Sequence, residues 1–168
     1  MFEIGAFVVY GSGGVFRIDD IRDEKFGSEV RRYYVMRGIL GGSTTVFVPI
    51  DNEQLVSRMK PMASREEITS LIDGMPQRTL EWQENTKARA EVFRKIIDGG
   101  DRAELLCLMR TLYLKKRELA EVGRRIYAAD ENAMKKAERM IFEEFSVVLG
   151  IDEGGIIKMI EEAEGKTA

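Results

Sequence analysis

Over the first third of the chain, apolar residues come in short runs that alternate with polar ones; over the rest they recur at three- to four-residue spacing. Phe7-Val8-Val9-Tyr10 and Val15-Phe16-Arg17-Ile18 are β-branched and aromatic, and Gly11-Ser12-Gly13-Gly14 stands between them, which predicts a hairpin whose loop uses positive φ. Asp19 to Arg22 prolongs the second strand, and Phe26-Gly27-Ser28 turns the chain. Tyr33–Met36 and Thr44–Val48 are the third and fourth strands, joined by Gly38 to Ser43. Pro49 ends the fourth strand or puts it at a sheet edge, because proline cannot donate to a ladder. Leu55–Met59 is a fifth, short segment. So many short strands in so little chain predict a small, curved barrel of the SH3 or Tudor kind over residues 1–62.

Ser64-Arg65-Glu66-Glu67 has capping-box spacing and predicts a short helix from Ser64 to about Asp73. Gly74-Met75-Pro76 breaks that helix, and the β-to-helical boundary is placed there, with 63–79 read as a short helix and linker. Residues 80–168 read as a helical bundle, which makes the chain α+β. One helix runs from Leu80 to Asp98 and stops at Gly99-Gly100. Asp101 caps the next, with Leu105, Leu108, Met109 and Leu112 on its apolar face; from Leu114 to Gly123 that stripe gives way to charge. Asp130 is expected to cap a third, with Met134, Ala137, Ile141 and Phe145 inward, and a last helix spans Asp152 to Glu164.

Composition narrows the chemistry. The chain has 168 residues, 33% of them charged, and no apolar run of the roughly 20 residues that a membrane span needs. MFEIG lacks the basic start and apolar core of a secretory signal, so a cytoplasmic address is expected. The lone cysteine, Cys107, lies in LLCLM and is expected in the core. There is no histidine, which removes the commonest general base and metal ligand together. The carboxylate pairs Asp19-Asp20, Glu66-Glu67 and Glu143-Glu144 diverge on regular elements and are expected at the surface. No catalytic residues, metal site, cofactor or small-molecule substrate are expected.

Net charge is −3, unevenly spread. Residues 102–125 carry seven bases (Arg102, Arg110, Lys115, Lys116, Arg117, Arg124, Arg125) against three acids (Glu104, Glu118, Glu121). An acidic protein with one basic segment suits a focused contact with an anion such as nucleic acid, or the segment is a solvated helix face. Trp82, the only tryptophan, has polar neighbours on both sides. It either staples the seam between the two halves or acts as a stacking wedge on nucleic acid, with Lys87, Arg89 and the basic segment as phosphate contacts. In the fourth strand, Val46 and Val48 share one face and Thr45 and Phe47 the other. Phe47 is either covered by Ile68 or Leu71 or exposed to a partner, and an edge strand there can also pair with another protein's sheet.

Phe2-x-Ile4-Gly5-x-x-Val8-Val9-Tyr10, Gly14-Val15, Tyr33–Met36, Val48-Pro49-Ile50-Asp51-Asn52 and Arg58 together resemble the bacterial CarD/CdnL transcription regulators, whose N-terminal module is shared with the transcription-repair coupling factor. The likeness continues through Trp82, Gly99-Gly100-Asp101, Leu112, Lys136-Ala137-Glu138 and Glu143-Glu144-Phe145. It implies a non-enzymatic adapter whose Tudor-like module docks on the RNA polymerase β subunit. The helical domain then touches promoter DNA at the upstream edge of the bubble and stabilises the open complex. By position, Trp82 is the wedge, Lys87 a phosphate contact, and Thr45, Val46 and Phe47 with Glu24 and Lys25 the polymerase face. The chain departs from the family at Gln83, Glu84 and Asn85, where better-studied members carry arginines, and at Glu24 and Phe47, where some do. Those departures shift the expected cationic role to Lys115, Lys116, Arg124 and Arg125. The competing expectation is an adapter whose helical domain binds a second protein and not DNA.

Overall fold

A computed structural model of the chain describes residues 1–11, 14–40 and 44–165. The chain is α+β and divides into two units, Met1–Met62 and Ala63–Ala168.

The first unit holds β1 (Phe7–Tyr10), β2 (Val15–Phe26), β3 (Glu29–Gly38), β4 (Thr45–Pro49) and β5 (Met59–Pro61) in one antiparallel sheet of order β4-β3-β2-β1-β5. Strand alternation sends Val8, Phe16, Ile18, Tyr34, Met36, Val48 and Met59 to one face, where they form a core with Val46, Ile50 and Leu55 packed against it. The β1–β2 hairpin pairs Val8 with Phe16 and Val9 with Val15. Tyr10 N–H donates to Gly14 O at 3.1 Å, and Gly11 and Gly14 take φ of +54° and +97°, backbone that glycine adopts without a Cβ clash. Ser12 and Gly13 of the expected loop, and residues 41–43 of the expected Gly38–Ser43 connection, lie outside the described residues.

Two expectations for this unit are corrected. The sheet does not close into a barrel, because β4 and β5 end the strand order and do not pair with each other. Leu55–Met59 is not a strand: Asn52 Oδ1 accepts Leu55 N–H at 3.1 Å and starts the short helix α1 (Glu53–Val56), so β5 begins only at Met59. The long β2 carries a bulge where its register to β3 shifts between Ile18 and Asp20, and bulges of this kind raise the local twist.

The second unit contains α2 (Arg65–Gly74), a 3-10 turn at Met75–Gln77, α3 (Thr86–Gly99), α4 (Arg102–Glu121), α5 (Ala128–Leu149) and α6 (Glu153–Gly165). The capping box of α2 is complete, Glu67 N–H donating to Ser64 Oγ at 3.1 Å and Ser64 N–H to Glu67 Oε2 at 2.8 Å. Residues 63–79 are not a linker. Ala63, Ile68, Ile72 and Met75 are buried in one core with Phe93, Leu108, Leu112, Ile141 and Phe145, so the boundary stands at Met62/Ala63 and not at Gly74-Met75-Pro76. Cys107 is buried in that unit, and desolvation pushes its thiol above the ordinary range.

Glu144, expected at the surface, is buried as well. It accepts Ala63 N–H at 2.9 Å and Arg102 Nε at 2.8 Å, which ties the start of the unit to α4 and α5. Among the described residues, no helix is long and apolar enough to cross a membrane.

Candidate protein and nucleic-acid interfaces

The first candidate surface is the β4 edge. Phe47 pairs with Val35 on β3 and turns away from the core, as the alternation of Thr45 and Phe47 against Val46 and Val48 requires. It is neither bare nor dependent on a helix for cover. Phe26, at the end of β2, and Tyr33, on β3, lie 5.4 and 6.2 Å from its ring in edge-to-face contacts, and Phe26 and Tyr33 are themselves 5.2 Å apart. Ile68 and Leu71, the other expected cover, belong to the helical core. Edge-to-face geometry sets the positive rim of one ring against the negative face of another, so the trio holds a fixed shape on the sheet. Phe26 is nevertheless 53% exposed, leaving an apolar ring open beside an edge strand.

Glu24 and Lys25 immediately precede Phe26 and pair in register with Arg31 and Val30. Strand alternation therefore places Glu24 on the same face as Phe26 and the Phe47 patch and Lys25 on the opposite face, while Thr45 and Val46 lie on the edge strand itself. Glu24 is held by Arg22 Nε at 2.6 Å, and Lys25 is exposed. Phe26 and Tyr33 are additions to the expected set. Their signal in the sequence was an aromatic just before Gly27, in register to meet a partner across the sheet.

The second candidate surface surrounds Trp82. Residues 78–85 are not helical, contrary to the expected helix from Leu80, because Asn85 caps α3: its Oδ1 accepts the N–H groups of Lys87 and Ala88, both at 3.0 Å. Leu80 N–H donates to Thr111 Oγ1 on α4 at 3.2 Å, pinning the segment. Trp82 is half-buried against the helical core, its ring 6.3 Å from that of Phe93.

Arg89, expected to face phosphates, is only 3% exposed. It lies four positions before Phe93, on the apolar face of α3, and so needs a partner inside. That partner is Asp130 on α5: Arg89 Nε donates to Asp130 Oδ1 at 3.0 Å and Nη2 to Oδ2 at 2.8 Å. Arg89 Nη1 donates to the carbonyl of Gln83 at 2.9 Å, so the same guanidinium fastens the Trp82 segment. Its Cζ lies 4.5 Å from the centroid of the Trp82 ring and 5.5 Å from that of Tyr127. Asp130 is therefore a buried counter-ion and not the cap of α5, whose N-cap residue is Tyr127.

The basic segment is largely neutralised from within. Arg102 pairs with Glu144 at 2.5 Å, Arg110 with Glu164 at 2.6 Å, Lys115 with Glu118 at 3.3 Å and Lys116 with Glu131 at 3.7 Å. Lys115 Nζ also lies 5.1 Å from the centroid of the Trp82 ring, close enough for a cation–π attraction. Among the described residues, the side chains of Lys87, Arg117, Arg124 and Arg125 are exposed and enter no ion pair. The structure thus gathers Trp82, Arg89 and Lys115 around one ring, leaves Lys87, Arg124 and Arg125 open to an anion, and holds Lys116 in a half-exposed pair.

Residues 2–60 match the family model of the CarD-like/TRCF RID domain. No curated protein matches the chain. The matched span covers all five strands but the last residue of β5, and its domain type supports an RNA polymerase-interacting role. The first unit thus carries the match to a CarD-like/TRCF RID domain, which is consistent with a CarD-like family member.

Proposed function

We propose that this chain is a non-enzymatic transcription regulator that docks on the β subunit of RNA polymerase and stabilises the open promoter complex by touching DNA at the upstream edge of the bubble. The observation that carries the reading is the matched domain, residues 2–60, with β4 at a sheet edge beside the Phe26–Tyr33–Phe47 cluster, in which Phe26 is exposed. An edge strand offers its outer N–H and C=O groups to another sheet, and the aromatic patch supplies the apolar area that such a pairing needs.

For the helical unit, Trp82 is the DNA-contacting ring. It is held at the surface of the core by the Arg89–Asp130 pair and Lys115, and Lys87, Arg124 and Arg125 supply free cations. A regulator of this kind acts by binding the open complex better than the closed one, and each 1.4 kcal/mol of difference shifts their ratio about tenfold. The test is the lifetime of open complexes after competitor challenge, with the full chain. The chain is expected to lengthen it, and Trp82→Ala is expected to abolish most of the gain while polymerase binding persists. An unchanged lifetime in both cases contradicts the reading.

One observation favours the alternative of a protein-binding helical unit: a cavity of about 700 Å³ floored by Leu114, Ile157 and Ile160, with Lys116 and Arg117 on α4 and Glu161 on α6 around it. Salt separates the two. Phosphate contacts release counterions, so DNA-dependent binding weakens steeply as salt rises, whereas docking in an apolar groove does not.

A further inference from the structure

We infer that Tyr127, with Arg124 and Arg125, forms a second nucleic-acid contact that stacks on an unpaired base. This deepens the DNA-contacting role proposed for the helical unit and rests on it. Tyr127 is 59% exposed, in the non-helical segment between α4 and α5, and Arg124 and Arg125 beside it are exposed and enter no ion pair among the described residues. Ile126 between them packs against the core and anchors the segment, so the exposure of its neighbours is not that of a loose loop.

Helix stability does not explain a tyrosine at this position. Tyr127 is the N-cap residue of α5 and makes no side-chain cap hydrogen bond, where Ser, Thr, Asp or Asn satisfy a backbone N–H. Burial does not explain it either. What fixes the ring is Arg89, whose Cζ lies 5.5 Å from the ring centroid and whose guanidinium is immobilised by two-point bonding to Asp130. The result is an aromatic face held in place before any ligand arrives, which lowers the ordering cost of binding.

A fixed, exposed aromatic face beside two free guanidinium groups matches a nucleic-acid strand with an unstacked base: the ring takes the base face and the arginines take the flanking phosphates. A fully paired duplex buries its base faces in the stack, so the segment is expected to select a fork or a single strand. Trp82 rests on the same guanidinium, 4.5 Å from it, which ties the two rings to one buried anchor.

The test is fluorescence anisotropy of the full chain, with RNA polymerase present, on a labelled fork-junction DNA and on the matching blunt duplex. Tyr127→Ala and Tyr127→Leu are expected to weaken fork binding about tenfold, within the range for one base stacked on an aromatic ring, while Tyr127→Phe retains it and duplex binding stays unchanged. The leucine variant keeps bulk over Arg89 without a stacking face, so the Leu/Phe comparison decides even if the alanine variant fails to fold. Fork binding by Tyr127→Leu equal to the wild type, or an equal loss on fork and duplex, overturns the inference. If Trp82→Ala weakens fork binding and Tyr127→Leu does not, the proposed function stands and this inference falls; if the wild type binds no DNA, both fall.

Discussion

Arg89 and Asp130, 41 positions apart on α3 and α5, form a buried ion pair in which Nη2 lies 2.8 Å from Oδ2 and both side chains are at most 5% exposed. Each sits on its helix's apolar stripe, Arg89 four positions before Phe93 and Asp130 four before Met134. Removing one partner strands the other charge in the core, a change that costs about 3–5 kcal/mol in such pairs. Arg89→Ala and Asp130→Ala are each expected to destabilise the chain by that order in denaturant unfolding. Arg89→Met with Asp130→Leu is expected to recover most of the loss in stability but to free the Trp82 segment, read as increased mobility of the indole fluorescence. Single variants as stable as the wild type contradict a structural role for the pair.

Lys87 is exposed at the start of α3, where it pairs with no carboxylate among the described residues. If it contacts a phosphate, Lys87→Ala lowers the slope of log binding constant against log salt by about 0.9, the value of one released counterion on duplex DNA. Titrations of promoter DNA at several salt concentrations measure this, and an unchanged slope assigns Lys87 to solvent.

Tyr113 on α4 donates its hydroxyl to Glu138 on α5, and burial, then that carboxylate, push its phenol well above the ordinary value of 10.0. The folded chain therefore holds this proton more tightly than the unfolded one. The stability linked to it is complete below the unfolded value and is lost as pH rises from there toward the folded value. Unfolding followed between about pH 9 and 11 is expected to show a fall in stability, flatter in Tyr113→Phe. Equal slopes in the two proteins rule out the linkage.

Much of this was legible in the sequence, for physical reasons that differ by element. The hairpin, the alternation along β4 and the Ser64–Glu67 box depend on local spacing and turn chemistry, so Val46, Val48 and Phe47 face as their order dictates. Barrel closure was not legible, since it depends on whether the two ends of the sheet meet, which no local pattern encodes. Leu80–Asn85 has the composition of a helix start, yet Asn85 caps α3 with its own side chain and leaves Trp82 in a non-helical segment. The charge of Arg89 suggests a phosphate contact, but its position is more telling: a cation and an anion on the apolar stripes of two helices are a pair. Tyr127 was missed because exposure at a helix start follows from the packing of Ile126 and Arg89 around it.

The most direct measurement is the affinity of the full chain for the isolated RNA polymerase β subunit, by calorimetry, beside a Phe47→Ala variant whose unfolding midpoint is checked first. Saturable binding by the wild type is expected, weakened about tenfold or more in the variant if the aromatic patch is an interface anchor. No binding by the wild type contradicts the polymerase-docking role, and equal binding by both proteins contradicts the placement of that role on the β4 edge.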